Sequence, residues 1–223
     1  MIDNKLIGLY GGAFDPIHKA HISIAQNCMK KIGLNKIIFI PTGYSPNDKI
    51  FSAHYHRLEM LNLVCKESFF EVSDFEISEY LNYKKISYTI NTLKYFKKNS
   101  ESTLIFIIGS DAFSTINSWN NWKEILSFCH LVLVERGGGQ SKVNTMPTEV
   151  QKFYKDNISS DIDELKRISH GKIYPLSIPV LYESSSEIRD RAMKNLDIKE
   201  FLPEAIQDYI THNGLYKLLG HNK

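Results

Sequence analysis

The segment Gly11-Gly12-Ala13-Phe14-Asp15-Pro16-Ile17-His18-Lys19-Ala20-His21 gathers, in a short stretch, the residue types an anion site needs. Two glycines let a ligand approach the main chain with no Cβ in the way. A helix opening just after them would aim unpaired N–H groups and partial positive charge at a phosphate. His18 and His21 are three apart, which on a helix puts both imidazoles on one side of the first turns, facing the volume the glycine turn leaves open. Together they could grip an anion. A second anion-binding pattern lies far along the chain at Ser184-Ser185-Ser186-Glu187-Ile188-Arg189. Hydroxyls and a helix start offer donors there, and an arginine one turn later adds a planar charged fork. The same letters also suit a plain capping box. Neither G-x-G-x-x-G nor G-x-x-x-x-G-K-[ST] occurs, so dinucleotide dehydrogenase and P-loop ATPase chemistry lose support. His54, His56 and Arg57 make a poor metal set, because residues two apart on a helix do not face together and no carboxylate cluster accompanies them.

Elements must hold these groups in place. Lys5 to Tyr10 reads as a buried strand stopping at Gly11-Gly12, and a helix is expected next, with Asp15 as N-cap and Pro16 at its first position. Ile24, Ala25, Cys28 and Ile32 recur at helical spacing until Gly33. Lys36 to Ile40 reads as a second strand stopped by Pro41, and a polar loop with Gly43 and Pro46 leads to a helix over His54 to Val64. Phe69 to Ile77 partly alternates as a strand, Tyr88 to Phe96 is amphipathic helix, and Thr103 to Ile108 is the most apolar strand, ending in Gly109-Ser110-Asp111. A helix closing over Ile125 to Phe128 precedes a strand over His130 to Val134, which stops at Arg136 and Gly137 to Gly139. Residues 140–170 are polar and read as a long connection carrying short helices. Ser184 to Glu187 opens one helix, and Pro203 to Thr211 forms another, finished by Asn213-Gly214. Strands alternating with helices predict a parallel sheet covered on both faces, with ligands beyond the carboxyl ends of the strands. With no internal repeat and no Pro- or Ser-rich linker, residues 1–223 read as one domain, with a core over about 5–181 and a helical C-terminal part over about 182–216.

Composition narrows the function classes. Lysine and arginine total 27 against 25 acidic residues, a net charge of +2 that leaves no electrostatic footprint for nucleic acid. The longest apolar runs, such as Leu104 to Ile108, fall far short of the roughly 18 residues of a membrane span, and the N-terminus lacks a secretory apolar stretch. Cys28, Cys65 and Cys129 form no paired framework, so reduced thiols and a cytoplasmic location are expected.

The N-terminal segment resembles the nucleotidylyltransferases, whose signature is G-G-x-F-D-P-x-H-x-G-H; the one departure is Ala20 in place of glycine. The Ser184 segment is similar to that family's I-S-S-T-x-I-R motif, with Glu183 for isoleucine and Ser186 for threonine. Ser87-Tyr88-Thr89-Ile90-Asn91-Thr92 resembles the S-Y-T-x-x-T helix start of the nicotinate-nucleotide adenylyltransferases. Ile107-Ile108-Gly109-Ser110-Asp111 followed by Trp119 is similar to their I-I-G-A/S-D-x7-W stretch, and Arg136 matches the arginine after their next strand. The ending from Leu202-Pro203-Glu204 to Gly214-Leu215-Tyr216 is also like theirs, so the likeness spans residues 6–216 and is weakest over 137–175. Their P-P-H-K is absent: Ser45-Pro46-Asn47-Asp48-Lys49 lacks the histidine and displaces the lysine by one.

The resemblance implies a Rossmann-like doubly wound parallel sheet with a helical C-terminal extension, and adenylyl transfer from ATP to nicotinate mononucleotide. It implies catalytic roles for His18, His21 and Arg189. ATP would lie against Gly11, Gly12, Ala13, Phe14, Gly109, Asp111, Ser184 and Ser186, with Arg189 on the β and γ phosphates. Nicotinate mononucleotide would meet Thr42, Lys49, Thr89, Trp119 and Arg136, its ring stacked on the tryptophan. Mg²⁺ is expected to arrive on the ATP phosphates, with no protein metal site, and a homo-oligomer is left open. The alternatives are phosphopantetheine adenylyl transfer, whose enzymes share only the outer motifs, and a nucleotide-binding module without turnover.

Overall fold

The computed structural model describes residues 5–44, 52–66, 69–136, 142–179 and 183–217. The chain opens with β1 (Leu6–Gly12) and α1 (Lys19–Cys28), which runs through a π-helical turn over Met29–Gly33 into β2 (Lys36–Pro41). There follow α2 (His54–Cys65), β3 (Phe70–Val72), α3 (Phe75–Tyr83), α4 (Thr89–Lys98), β4 (Thr103–Gly109) and the single turn α5 (Ser110–Phe113). After β5 (His130–Arg136) come α6 (Thr148–Asn157), α7 (Glu164–Arg167) and β6 (Ile173–Ile178), then α8 (Ser185–Met193) and α9 (Glu204–His212).

The strands form one sheet in the order β3-β2-β1-β4-β5-β6, every pairing parallel. Alternation along each strand decides which side chains go to which face. Leu104, Phe106 and Ile108 point into one apolar layer with Leu9, Ile40, Leu131 and Leu133, under α4 and α6. Ile105 and Ile107 point to the other, with Phe39, Val132 and Ile188, under α1, α2, α8 and α9. Burial on both faces is why these strands are apolar without interruption. No helix among the described residues is long and apolar enough to cross a membrane.

Three local expectations need correction, and one strand is added. The first helix starts at Lys19, not at Pro16, and its N-cap is His18 with extended backbone; the Asp15 side chain is drawn elsewhere and caps nothing in α1. The expected strand over 69–77 is only Phe70–Val72, because Ser73 and Asp74 turn the chain into α3, where Ser73 Oγ accepts from the Phe75 N–H and Asp74 from the Ser78 hydroxyl. The helix expected to close over 125–128 is a 3₁₀ segment, Trp122–Ser127. The stretch expected to be a long connection with short helices does carry α6 and α7, and it leads to a strand, β6, that the sequence hid. Pro175 sits inside β6, tolerable because β6 is the sheet's edge and needs to hydrogen-bond on one side only.

Candidate active site

β1 has β2 on one side and β4 on the other, so the chain leaves it in both directions, and the crevice opens where strand order reverses, beyond the carboxyl ends of β1, β2 and β4. A cavity of about 350 Å³ fills that crevice. Of the residues expected to bind substrate, Gly11, Gly12, Ala13, Thr42, Thr89, Gly109 and Trp119 line it. Thr89 is the first residue of α4, so that helix turns its N-terminal end toward the cavity. Trp119 is half-buried and stands edge-on to Phe106 at 6.4 Å between ring centroids, leaving part of the indole exposed.

Phe14, His18, His21, Asp111, Ser184, Ser186 and Arg189 lie outside this cavity's lining. Phe14 is a core residue, 1% exposed, and its ring stands edge-on to Tyr10, His21 and Phe39. Its backbone is left-handed at φ 48°. Gly12 belongs to this packing: a Cβ there would meet the Phe14 ring at 3.2 Å. Asp111 is exposed on α5. The side chain of Arg136, and all of Lys49, fall outside the described residues.

The two histidines come together although only one of them is helical. His18 occupies the N-cap of α1 and His21 its first turn, and their rings face each other with centroids 3.7 Å apart. His18 is 3% exposed, and His21 rests against Phe14 and Tyr10. Tyr10 and Phe14 thus hold the His21 ring, and His21 in turn packs on His18.

The distant serine-rich segment docks onto the same turn. Ser185 Oγ donates to the Pro16 carbonyl at 3.0 Å, across 169 positions, and the buried Arg189 donates to the Asp15 carbonyl. Ser186 Oγ accepts from the other arm of Arg189 at 3.3 Å. Ser184 is the N-cap of α8, its Oγ accepting from the Glu187 N–H at 3.1 Å, so the capping-box reading holds for that hydroxyl. Arg189 also faces a second cavity of about 470 Å³, shared with Ser52, His56 and Tyr216.

Several residues that organise the site carried no such signal in the sequence. The Asp15 carboxylate, fully buried, accepts from the Tyr216 hydroxyl at 2.7 Å and from the Ser52 N–H at 3.2 Å. Burial, with the Asp15 charge beside it, pushes the Tyr216 phenol well above its usual range, so it stays a donor. Burial lowers the His56 pKa, opposed by the charge of Asp15, and His56 Nδ1 lies 2.9 Å from the Tyr209 hydroxyl of α9. Glu76 of α3 lines the crevice and accepts from the Thr92 hydroxyl at 2.6 Å, while Ser87 Oγ accepts from the Gly43 N–H at 3.1 Å. Arg57, set aside as part of a poor metal set, is a buried brace beneath the crevice. Asp15, Ser87, Thr92 and Tyr216 stand in the segments that carry the family likeness, but the contacts they make are not visible in the letters.

Comparison with known proteins agrees with this architecture. Residues 9–191 match the cytidylyltransferase-like family model. A protein of Pectobacterium atrosepticum named as a probable nicotinate-nucleotide adenylyltransferase is 31% identical over 96% of this chain and 99% of its own length. One of the same name from Clostridium novyi is 31% identical over 96% of this chain and 100% of its own. In three dimensions, the nicotinic acid mononucleotide adenylyltransferase of Plasmodium falciparum, complexed with NaAD, superposes with a TM-score of 0.72 at 24% identity, covering 95% of this chain and 97% of that one. The chain belongs to the cytidylyltransferase-like family and, within it, to the nicotinate-nucleotide adenylyltransferases.

Proposed function

We propose that the chain transfers the adenylyl group of ATP to nicotinate mononucleotide, forming nicotinate adenine dinucleotide and pyrophosphate in NAD biosynthesis. The observation that carries this is the docking of the serine-rich segment on the glycine–histidine turn, through Ser185 to Pro16 and Arg189 to Asp15, at the end of the sheet where the crevice opens. One pole of a triphosphate site alone would serve any phosphate; two poles meeting beside a crevice suit a nucleoside triphosphate and an acceptor. The names of the full-length relatives point the same way.

The acceptor brings its own nucleophile. A phosphate monoester oxygen attacks the α-phosphorus in line with the departing pyrophosphate, without a covalent enzyme intermediate and without a general base. The protein's work is alignment and charge stabilisation. In this reading Gly11, Gly12, Ala13 and Gly109 bound the nucleotide side of the cavity. Thr42, Thr89 and Trp119 bound the acceptor side, with the exposed indole face stacking on the pyridine ring. His18 and His21 stabilise charge gathering on the α-phosphate, and Arg189 faces the leaving group. These three donate through nitrogen, which suits phosphate oxygens, whereas Mg²⁺ prefers oxygen ligands and keeps its waters. The ion therefore fits best on the ATP phosphates, where it would neutralise part of the pyrophosphate charge.

The test offers the purified protein Mg-ATP with nicotinate mononucleotide, nicotinamide mononucleotide or phosphopantetheine separately, following pyrophosphate and adduct. Product with nicotinate mononucleotide is expected. Product with phosphopantetheine alone would overturn the assignment, and nucleotide binding without pyrophosphate release from any acceptor would make the chain a binding module.

A further inference from the structure

Arg57 of α2 heads the described residues in size among side chains the fold encloses completely, at 0% exposure. Its Nη1 donates to the Ala13 carbonyl at 2.9 Å and its Nη2 to the Thr42 carbonyl at 2.7 Å. Ala13 follows β1 and Thr42 follows β2, and both line the crevice cavity. The two strands stay zipped as far as the Thr42 N–H, which donates to the Gly12 carbonyl at 2.9 Å. Beyond that bond the ladder ends and the arginine fork takes over. A peptide group points its C=O and N–H in opposite directions, so holding the Thr42 carbonyl on Arg57 turns the Gly43 N–H the other way. There it meets the Oγ of Ser87, another residue of the cavity lining, at 3.1 Å.

Volume does not explain an arginine here. An apolar side chain of similar size would fill the same space without the desolvation cost of burying a cation. Only a rigid planar group with two separated donors can hold two carbonyls at a fixed spacing; an ammonium is a point donor on a flexible stem.

We propose that Arg57 is a positioning residue that fixes the distance between the nucleotide half of the cavity, at Ala13, and the acceptor half, at Thr42, and so aligns the attacking phosphate with the α-phosphorus. The inference rests on the adenylyl-transfer reading above. Misalignment of reacting atoms by about 1 Å can cost about 10²-fold in rate, and it does so without removing any group that contacts either substrate.

The test uses Arg57→Lys and Arg57→Met, each checked for a cooperative melt, with steady-state kinetics in both substrates. The expected result is kcat lower by about 10²-fold, with KM for ATP and for nicotinate mononucleotide each within about threefold of wild type. A role in stability alone would lower the melting temperature and leave kcat per folded molecule untouched. A folded variant with kcat within about twofold of wild type would therefore overturn the inference. Should neither variant fold, a crystal structure of the unaltered protein with a non-hydrolysable ATP analogue and nicotinate mononucleotide decides: both arginine bonds kept within hydrogen-bond distance support it, and either one broken overturns it. Failure of the underlying reading looks different, since wild type itself would then release no pyrophosphate with nicotinate mononucleotide.

Discussion

The Tyr216 hydroxyl donates to Asp15 Oδ1 at 2.7 Å, tying the residues just after α9 to the turn between β1 and α1. The bond closes a hub in which one buried aspartate meets Tyr216 and Ser52 through its carboxylate and Arg189 through its carbonyl. Tyr216→Phe keeps the ring and removes the donor. Hydrogen bonds to charged groups contribute about 1.5–3 kcal/mol, so thermal unfolding should show the variant destabilised by about that amount, at about 2–4 °C per kcal/mol for a chain this size. An unchanged melting temperature would show that the hub does not hold the C-terminal part in place.

His18→Ala should lower turnover by about 10²–10³-fold, the usual cost of losing one donor to developing transition-state charge. The effect on folding should be modest, since the His18 side chain makes no capping bond to α1. Pyrophosphate release at saturating substrates, alongside a melting curve, separates the two effects. Near-wild-type turnover would remove His18 from the chemistry.

The same region shows what the letters could and could not convey. The unbroken apolar run of Leu104 to Ile108 and the double glycine that ends β1 are local signals, and they point to the right strands and the right end of the sheet. The start of α1 was misplaced because Asp15 and Pro16 are good helix-start residues in isolation, whereas Asp15 is taken by Tyr216, 201 positions away. Arg57 was illegible for a related reason: its partners are the main-chain carbonyls of Ala13 and Thr42, which no side-chain pattern reports. Pro175 hid β6, because its tolerance depends on the strand being at the edge, a property of sheet order and not of the strand itself. Ser184 carried both a capping and a ligand reading, and its hydroxyl is engaged as a cap.

Gly43 marks a close approach between the loop after β2 and the first turn of α3. A Cβ there would lie 2.0 Å from the Glu76 carbonyl oxygen and 2.5 Å from its carbon, both main-chain atoms that cannot swing aside. Gly43→Ala must push α3 away from β2, and with it Glu76, which lines the crevice and holds Thr92. Overpacking of this kind costs about 1–3 kcal/mol. A lower urea midpoint with unchanged slope is expected, and an unaltered midpoint would contradict the packing described.

His130, fully enclosed at the start of β5, uses both ring nitrogens: Nε2 donates to the Ile168 carbonyl at 3.0 Å, and Nδ1 accepts from the Lys172 N–H at 3.0 Å. A proton on Nδ1 would face that N–H instead of accepting from it. Burial lowers the pKa below its ordinary 6.5; the Ile168 bond and Glu164 oppose the shift, and the neighbouring His170 and Lys172 reinforce it. The unfolded chain thus binds this proton more readily than the folded one. The stability that neutral His130 contributes is complete above about pH 6.5 and is lost as pH falls from there through the lowered folded value. Carboxylates with lowered pKa values, Asp161 and Glu164, act in a separate and more acidic window, as their ordinary values of 3.8 and 4.5 dictate. Urea unfolding of wild type and His130→Gln at several pH values between about 7.5 and 5 should show wild type losing stability toward acid more steeply than the variant. Parallel slopes would mean that His130 accepts its proton as easily inside the fold as outside it.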